Sequence, residues 1–388
     1  MVRFIPYIRI NSDPFHSILA EPLEQNNTEP GKFTEKSDPE RLYFIDALRA
    51  WAILMMLQGH FVSALLMESY REDGGATYFV WAYLRGVTAP VFFTVSGFIF
   101  TYLLFKHYEK GWANPRIKKG FKRGGLLILI GYVLQIKFGL LLKGSINTSF
   151  DIVHVLQCLG LSMILIIVLY LTTHKFSKYV FQIFLGSITI LLFLSNGTLG
   201  QWEYSFLPDW FSNYITRENG SVFTMVPWFG FATAGGCISG FFQSNLTKKG
   251  FYPKAFLIIL SIGILLIFQS YESIRDLVSL TEIRFFHSAL DDSYLFARLG
   301  VVLVVFALFI FLRNILNHKI INDIGQNTLA IYILHAIVLY GSITGYGLSR
   351  YYHHSLSLSH VVLGAVLFLI VICSVVLMAD RKVKRLFS

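Results

Sequence analysis

Asp46, Arg49 and His60 lie within one apolar stretch, RLYFIDALRAWAILMMLQGHFVSALL, covering residues 41–66. A neutral imidazole in such a place accepts a proton from a hydroxyl or an amine. A guanidinium pairs with carboxylates and phosphates. Arg49 and His60 are eleven residues apart, about three helical turns, so they share a face roughly 16 Å apart along the axis. Asp46, three residues before Arg49, is placed for an ion pair that offsets part of the cost of burying both charges. Ionisable groups at membrane depth are expensive and mark functional paths, which sets His60 with Asp46 as candidate catalytic groups against the plainer reading of a structural histidine.

Further candidates follow along the chain. RGVTAPVFFTVSGFIFTY at 85–102 places Arg85 in an apolar run, with Pro90 removing a backbone donor and Ser96-Gly97 allowing close helix approach. The segment 106–124 holds Lys118, Lys119, Lys122 and Arg123 among seven basic residues, against the single acid Glu109. It reads as a topology signal and headgroup contact, or as an electrostatic funnel for a polyanionic cofactor. Asp151 and His154 are three apart, set for a hydrogen bond, although Asp151 also suits a helix cap. Arg298 opens a later apolar run, and His335 lies near the middle of another. Lys137 reads as snorkelling outward. Singly, each has a structural explanation; two histidines and several arginines in one apolar bundle exceed what packing requires.

The elements that must position these groups are transmembrane helices. Of the 388 residues 54% are hydrophobic and only 14% charged, the composition of a polytopic membrane protein and an all-α fold. Ten spans are expected, at about 43–66, 78–105, 121–142, 152–171, 179–196, 222–243, 254–271, 294–313, 326–347 and 357–378. The net charge of +10 does not point to nucleic acid, because the cations sit between apolar runs. They concentrate in 106–124, 172–178, 244–254, 313–325 and 379–388, whereas the alternate loops hold only Arg71, Lys143, Arg217, Arg275, Arg284 and Arg350. By the positive-inside rule both termini are expected in the cytoplasm.

Residues 1–40, polar and proline-dotted, read as a disordered cytoplasmic tail without a cleavable leader, 41–380 as the membrane domain and 381–388 as a basic tail. Cys158, Cys237 and Cys373 have no metal-like spacing and suit core positions, so no metal is expected. Of the outward loops, 197–221 carries Trp202, Tyr204, Trp210 and Tyr214 among carboxylates, suited to stacking on sugars or to an interfacial aromatic belt. Sequons occur at Asn147, Asn196 and Asn219.

The arginine, ten intervening residues and histidine formed by Arg49 and His60 resemble the first-helix signature of acyltransferase-3 type transmembrane acyltransferases. IDALRAWAILMMLQGH, RGVTAPVFFTVSGF and FDIVHVLQCLGLS look more like the branch containing the heparan-alpha-glucosaminide N-acetyltransferase catalytic domain. MVPWFGFATAGGCISGF at 225–241, which contains Trp228, and NTLAIYILH at 327–335 are similar to the superfamily's later helices. The resemblance covers roughly residues 41–380. It implies transfer of an acyl group, usually acetyl, from cytosolic acyl-CoA (acetyl-CoA) to a hydroxyl or amine of a carbohydrate across the membrane.

It also implies His60 as the catalytic histidine, Arg49 as a partner of acyl-CoA and Arg85 as a supporting arginine. By their charge Lys118, Lys119, Lys122 and Arg123 are placed to meet the donor's phosphates, and Ser96, Asp151, His154, Trp228, Arg298 and His335 are candidates for substrate contact or support. Ala50 departs from the glycine that commonly follows the arginine. Direct transfer and an acyl-histidine intermediate both remain open, as does monomer against homodimer. A bacterial cytoplasmic membrane is the expected location, with a lysosomal one known among related eukaryotic proteins. The competing class is a multi-pass, proton-coupled transporter, against which stands the lack of matching broken segments in two halves.

Overall fold

A computed structural model describes residues 41–72, 75–106, 110–145, 150–200 and 202–387. The tail expected over 1–40 lies outside the described residues. Every named element among the described residues is helical, as a bilayer demands of chains that must satisfy their own backbone. The principal helices are α1 (Tyr43–Leu65), α2 (Gly75–Lys106), α3 (Pro115–Gln135), α4 (Val155–Thr173) and α5 (Lys178–Leu194). They continue with α6 (Met225–Asn245), α7 (Phe251–Thr281), α8 (Tyr294–Phe311), α9 (Thr328–Tyr340) and α10 (Leu358–Phe387). Seven are long and apolar enough to cross a membrane, and α5 and α9 are shorter apolar helices. The remaining one, α3, has a basic first half. One helix therefore stands for each of the ten expected spans.

Some boundaries move for identifiable reasons. α3 begins at Pro115, in the first-turn position where proline's missing N–H costs nothing, behind an Asn114 cap that accepts from the Arg116 amide at 2.9 Å. It ends at Gln135, so Lys137 lies outside the helix in an extended break. The ninth expected span is shortened: α9 starts at Thr328, just after a short helix, Lys319–Gln326, ends at Asn327, and it closes on Gly341 with φ 66°, before the expected end at 347. α7 runs on to Thr281, ten residues past its expected end.

Glycines set the helix crossings. A methyl group added at Gly97 of α2 would overlap the Ala232 carbonyl of α6, and one at Gly235 of α6 would overlap the Thr94 carbonyl of α2. Gly124 with Gly160, and Gly263 with Gly300, do the same for α3 with α4 and α7 with α8. Such contacts let backbones approach where lipid supplies no hydrophobic drive between helices. Around the α2–α6 crossing, Phe44, Phe98, Phe242 and Phe306 form a buried cluster with ring centroids 5.2 to 5.8 Å apart for the pairs Phe98–Phe242, Phe98–Phe306, Phe44–Phe242 and Phe44–Phe306. That cluster brings the start of α1 level with the ends of α2, α6 and α8.

At the opposite end, the connections after α5 and α7 are stapled together. The fully buried Asn196 donates to Asp292 Oδ1 at 2.6 Å and accepts from Arg217 at 2.8 Å. Asn196, one of the sequons named above, is thus committed inside the fold, and Asn147 lies outside the described residues. Trp202 and Trp210 remain exposed. Cys158 and Cys373 are buried and Cys237 half-buried, all unbridged, as their apolar settings suggested.

Two outcomes are expected. Gly97→Leu and Gly235→Leu should each destabilise the solubilised protein by about 1–3 kcal/mol or more through overpacking. Gly125→Ala, where added atoms meet nothing within 4 Å, should be neutral or stabilising; thermal unfolding followed by size-exclusion chromatography measures both. Burial pushes the Asp292 carboxyl above its ordinary value, against the Asn196 and Arg217 contacts. A raised carboxyl favours the fold when protonated and loses that contribution as pH rises through the folded value. The midpoint of Asp292→Asn relative to the wild type should therefore climb between pH 4 and pH 7.

Candidate active site

The polar face of α1 meets α9. Arg49, in the first half of α1, donates from Nη2 to Thr328 Oγ1 at 2.9 Å, and its Nη1 lies 3.8 Å from Asp46 Oδ1. Asp46 is 8% exposed and Thr328 3%. The contact falls where Asn327 breaks the ninth apolar segment, the point at which a helix start exposes a polar first turn. Gly325 permits it: a methyl group there would overlap the Asp46 carbonyl.

Three turns further along α1, His60 Nδ1 lies 3.0 Å from the Tyr340 hydroxyl at the end of α9. The His60 ring stacks on His335 with centroids 5.5 Å apart and planes at 20°. His335 is 1% exposed and binds the Tyr332 carbonyl through Nδ1. A carbonyl only accepts, so Nδ1 of His335 carries its proton. Because Arg49 meets the start of α9 and His60 its end, the two helices run parallel and hold both groups in one seam. Ile53 and Leu57 of α1 and Ile331 and Leu339 of α9 belong to one buried apolar cluster.

Arg85 reaches the same end from α2. Its stem covers Gly59, where an added Cβ would stand 2.6 Å from Arg85 Cγ, and its guanidinium binds Ser63 Oγ, one turn beyond His60. The guanidinium also stands 5.7 Å from the Trp81 ring centroid. Trp81 is in turn held by Gln58 at 3.0 Å.

Other sequence candidates stand apart from this seam. Asp46 is fourteen residues from His60 along the same helix, so it serves Arg49. Asp151 accepts from Asn213 at 3.1 Å rather than engaging His154, and His154 itself occupies the cap position of α4 with an exposed side chain. Trp228 sits in an aromatic stack with Phe223 and Phe93, at 4.7 and 5.3 Å. Ser96 is half-buried in α2 beside Gly97. Arg298 stacks on Tyr294 at 5.4 Å and lies against Gly86, whose carbonyl loses its helical donor to Pro90. Lys118, Lys119, Lys122 and Arg123 are exposed on the first turns of α3, where the spacing of three and four gathers them on one helix face. No group of metal-binding side chains occurs among the described residues.

Tyr340, Thr328 and Ser63 were not singled out from the sequence. Tyr340 reads as an interfacial aromatic, and hydroxyls are common in transmembrane helices; only the pairing of α1 with α9 distinguishes them.

A polytopic helical bundle with a histidine and an arginine along one inner seam is the arrangement of a membrane-embedded transferase. The family model for the acyltransferase domain of the acyltransferase-3 type matches residues 42–379, nearly the whole membrane portion, and the chain belongs to that family. Comparison with curated proteins returns no match.

Tyr340→Phe deletes the partner of His60 Nδ1 while keeping the ring. Losing the group that orients a reactive histidine costs roughly ten- to a hundredfold in activity elsewhere, and a drop of that order in acyl transfer, with unchanged thermal stability, is expected in a thiol-release assay.

Proposed function

We propose that this membrane acyltransferase takes an acyl group, acetyl in the simplest case, from acyl-CoA and delivers it to a hydroxyl or amine of a carbohydrate at the opposite membrane face. The observation that carries the reading is the shared seam of α1 and α9, with Arg49 at one end and His60 under Tyr340 at the other. In this reading the donor approaches from the cytoplasm, where the basic face of α3 attracts its phosphates and Arg49 guides it inward. Its slim pantetheine arm carries the thioester toward His60. The expected setting is a bacterial cytoplasmic membrane with both termini inside.

Chemically, His60 has to remove one proton. When its Nδ1–H donates to Tyr340, the Nε2 lone pair is left to accept the proton from the acceptor hydroxyl or amine. The acceptor atom attacks the thioester carbon, the carbon–sulfur bond breaks, and the thiolate leaves to be protonated as the CoA thiol. An ester or amide remains on the acceptor. Arg49, a cation on the donor's path, favours the negative charge of the donor. His335, stacked on His60, fixes the ring plane. In the alternative sequence His60 attacks the thioester first and carries the acyl group itself.

His60→Ala should abolish acyl transfer and leave the protein eluting and melting as the wild type does; retained thiol release would overturn the assignment. Mixing the protein with labelled acetyl-CoA alone distinguishes the two sequences, since label trapped on His60 requires the covalent route and none is expected for direct transfer. A transporter would move solute without freeing thiol.

A further inference from the structure

Arg85 is held in place but is not neutralised. Its stem is clamped over Gly59, its guanidinium rests between Ser63 and Trp81, and it stands within electrostatic reach of both the His60 ring and the Tyr340 hydroxyl. No carboxylate of the described residues comes within ion-pair distance of it. Glu68, an acid of this corner, is shared by Arg71 at 3.6 Å and His354 at 2.9 Å. Arg71 also donates to the Ser63 carbonyl, so two guanidinium groups gather around one serine of α1. Arg85 is exposed and thus reachable from the surroundings. A fixed, accessible guanidinium beside a histidine that handles a proton is built to hold an anion, and its planar fork suits a carboxylate or phosphate.

We propose that Arg85 binds an anionic group, a carboxylate or a phosphate, on the acceptor itself, next to the hydroxyl or amine that is acylated. The acceptor class is then an acidic carbohydrate. This rests on the acyltransferase reading above and adds the charge of the acceptor to it. The geometry supports a division of labour: Arg49, half-buried and paired with Asp46, lies at the far end of α1 from the acceptor, whereas Arg85 binds Ser63, one turn from His60. Trp81, under the guanidinium, gives the sugar ring an apolar face to rest on.

The test uses the full-length protein in proteoliposomes with acetyl-CoA and matched sugar pairs, glucuronate with glucose and N-acetylmuramate with N-acetylglucosamine, reading CoA thiol. The wild type should favour the acidic member of a pair at least tenfold in kcat/KM. Arg85→Gln should bring that ratio close to one, and Arg85→Lys, which keeps the charge without the fork, should retain part of it. Equal use of acidic and neutral members by the wild type overturns the proposal. So does an Arg85→Gln protein in which both members fall by the same factor, since that places Arg85 on the reaction's own charge or in the fold. A wild type that frees no thiol with or without sugar overturns the acyltransferase reading and this proposal with it.

Discussion

A guanidinium and an imidazole buried along one apolar helix must find polar company, and in this protein a single neighbouring helix supplies it to both. α9 offers Thr328 to Arg49 and Tyr340 to His60. The cost of placing charge at membrane depth is several kcal/mol per unpaired group, so the register between α1 and α9 is dictated by these contacts more than by the apolar side chains between them. A slip of one turn would take Thr328 from Arg49 and Tyr340 from His60.

The rest of the bundle keeps that register rigid. Close backbone crossings at Gly97 with Gly235, Gly124 with Gly160 and Gly263 with Gly300 join the helices in pairs without long side chains that could shift. The four buried phenylalanines level the start of α1 with three other helix ends. At the far side, Asn196, Asp292 and Arg217 tie two long connections together. Reactive groups carried on helices locked this way are held to tighter tolerances than groups on loops.

The chemistry divides along the axis of α1. The end with Arg49 lies on the side where the basic first turns of α3 begin; the end with His60 gathers Tyr340, His335, Ser63 and Arg85. Family membership over residues 42–379 makes the protein a membrane acyltransferase, and both ends of α1 lie within that match. Arg85 lies at the His60 end of α1, beside the corner formed by Arg71, Glu68 and His354.

Helix identity and order were legible in the sequence because each span is a long apolar run bounded by charge, a local property. The common face of Arg49 and His60 was legible for the same reason: they lie on one helix, and a spacing of eleven fixes their relative direction whatever surrounds them. The breaks at Ile136 and Asn327 were less so, since they follow from a cap and a turn rather than from hydropathy. What the chain alone could not decide is which helices touch. Lipid is as apolar as the side chains facing it, so hydropathy does not tell a lipid-facing leucine from one in a seam. Only the fold set Tyr340 on His60 instead of at the interface, gave Asp151 to Asn213 instead of His154, and brought Arg85 within one turn of the histidine, because those partners are joined by packing between segments that are up to 280 residues apart.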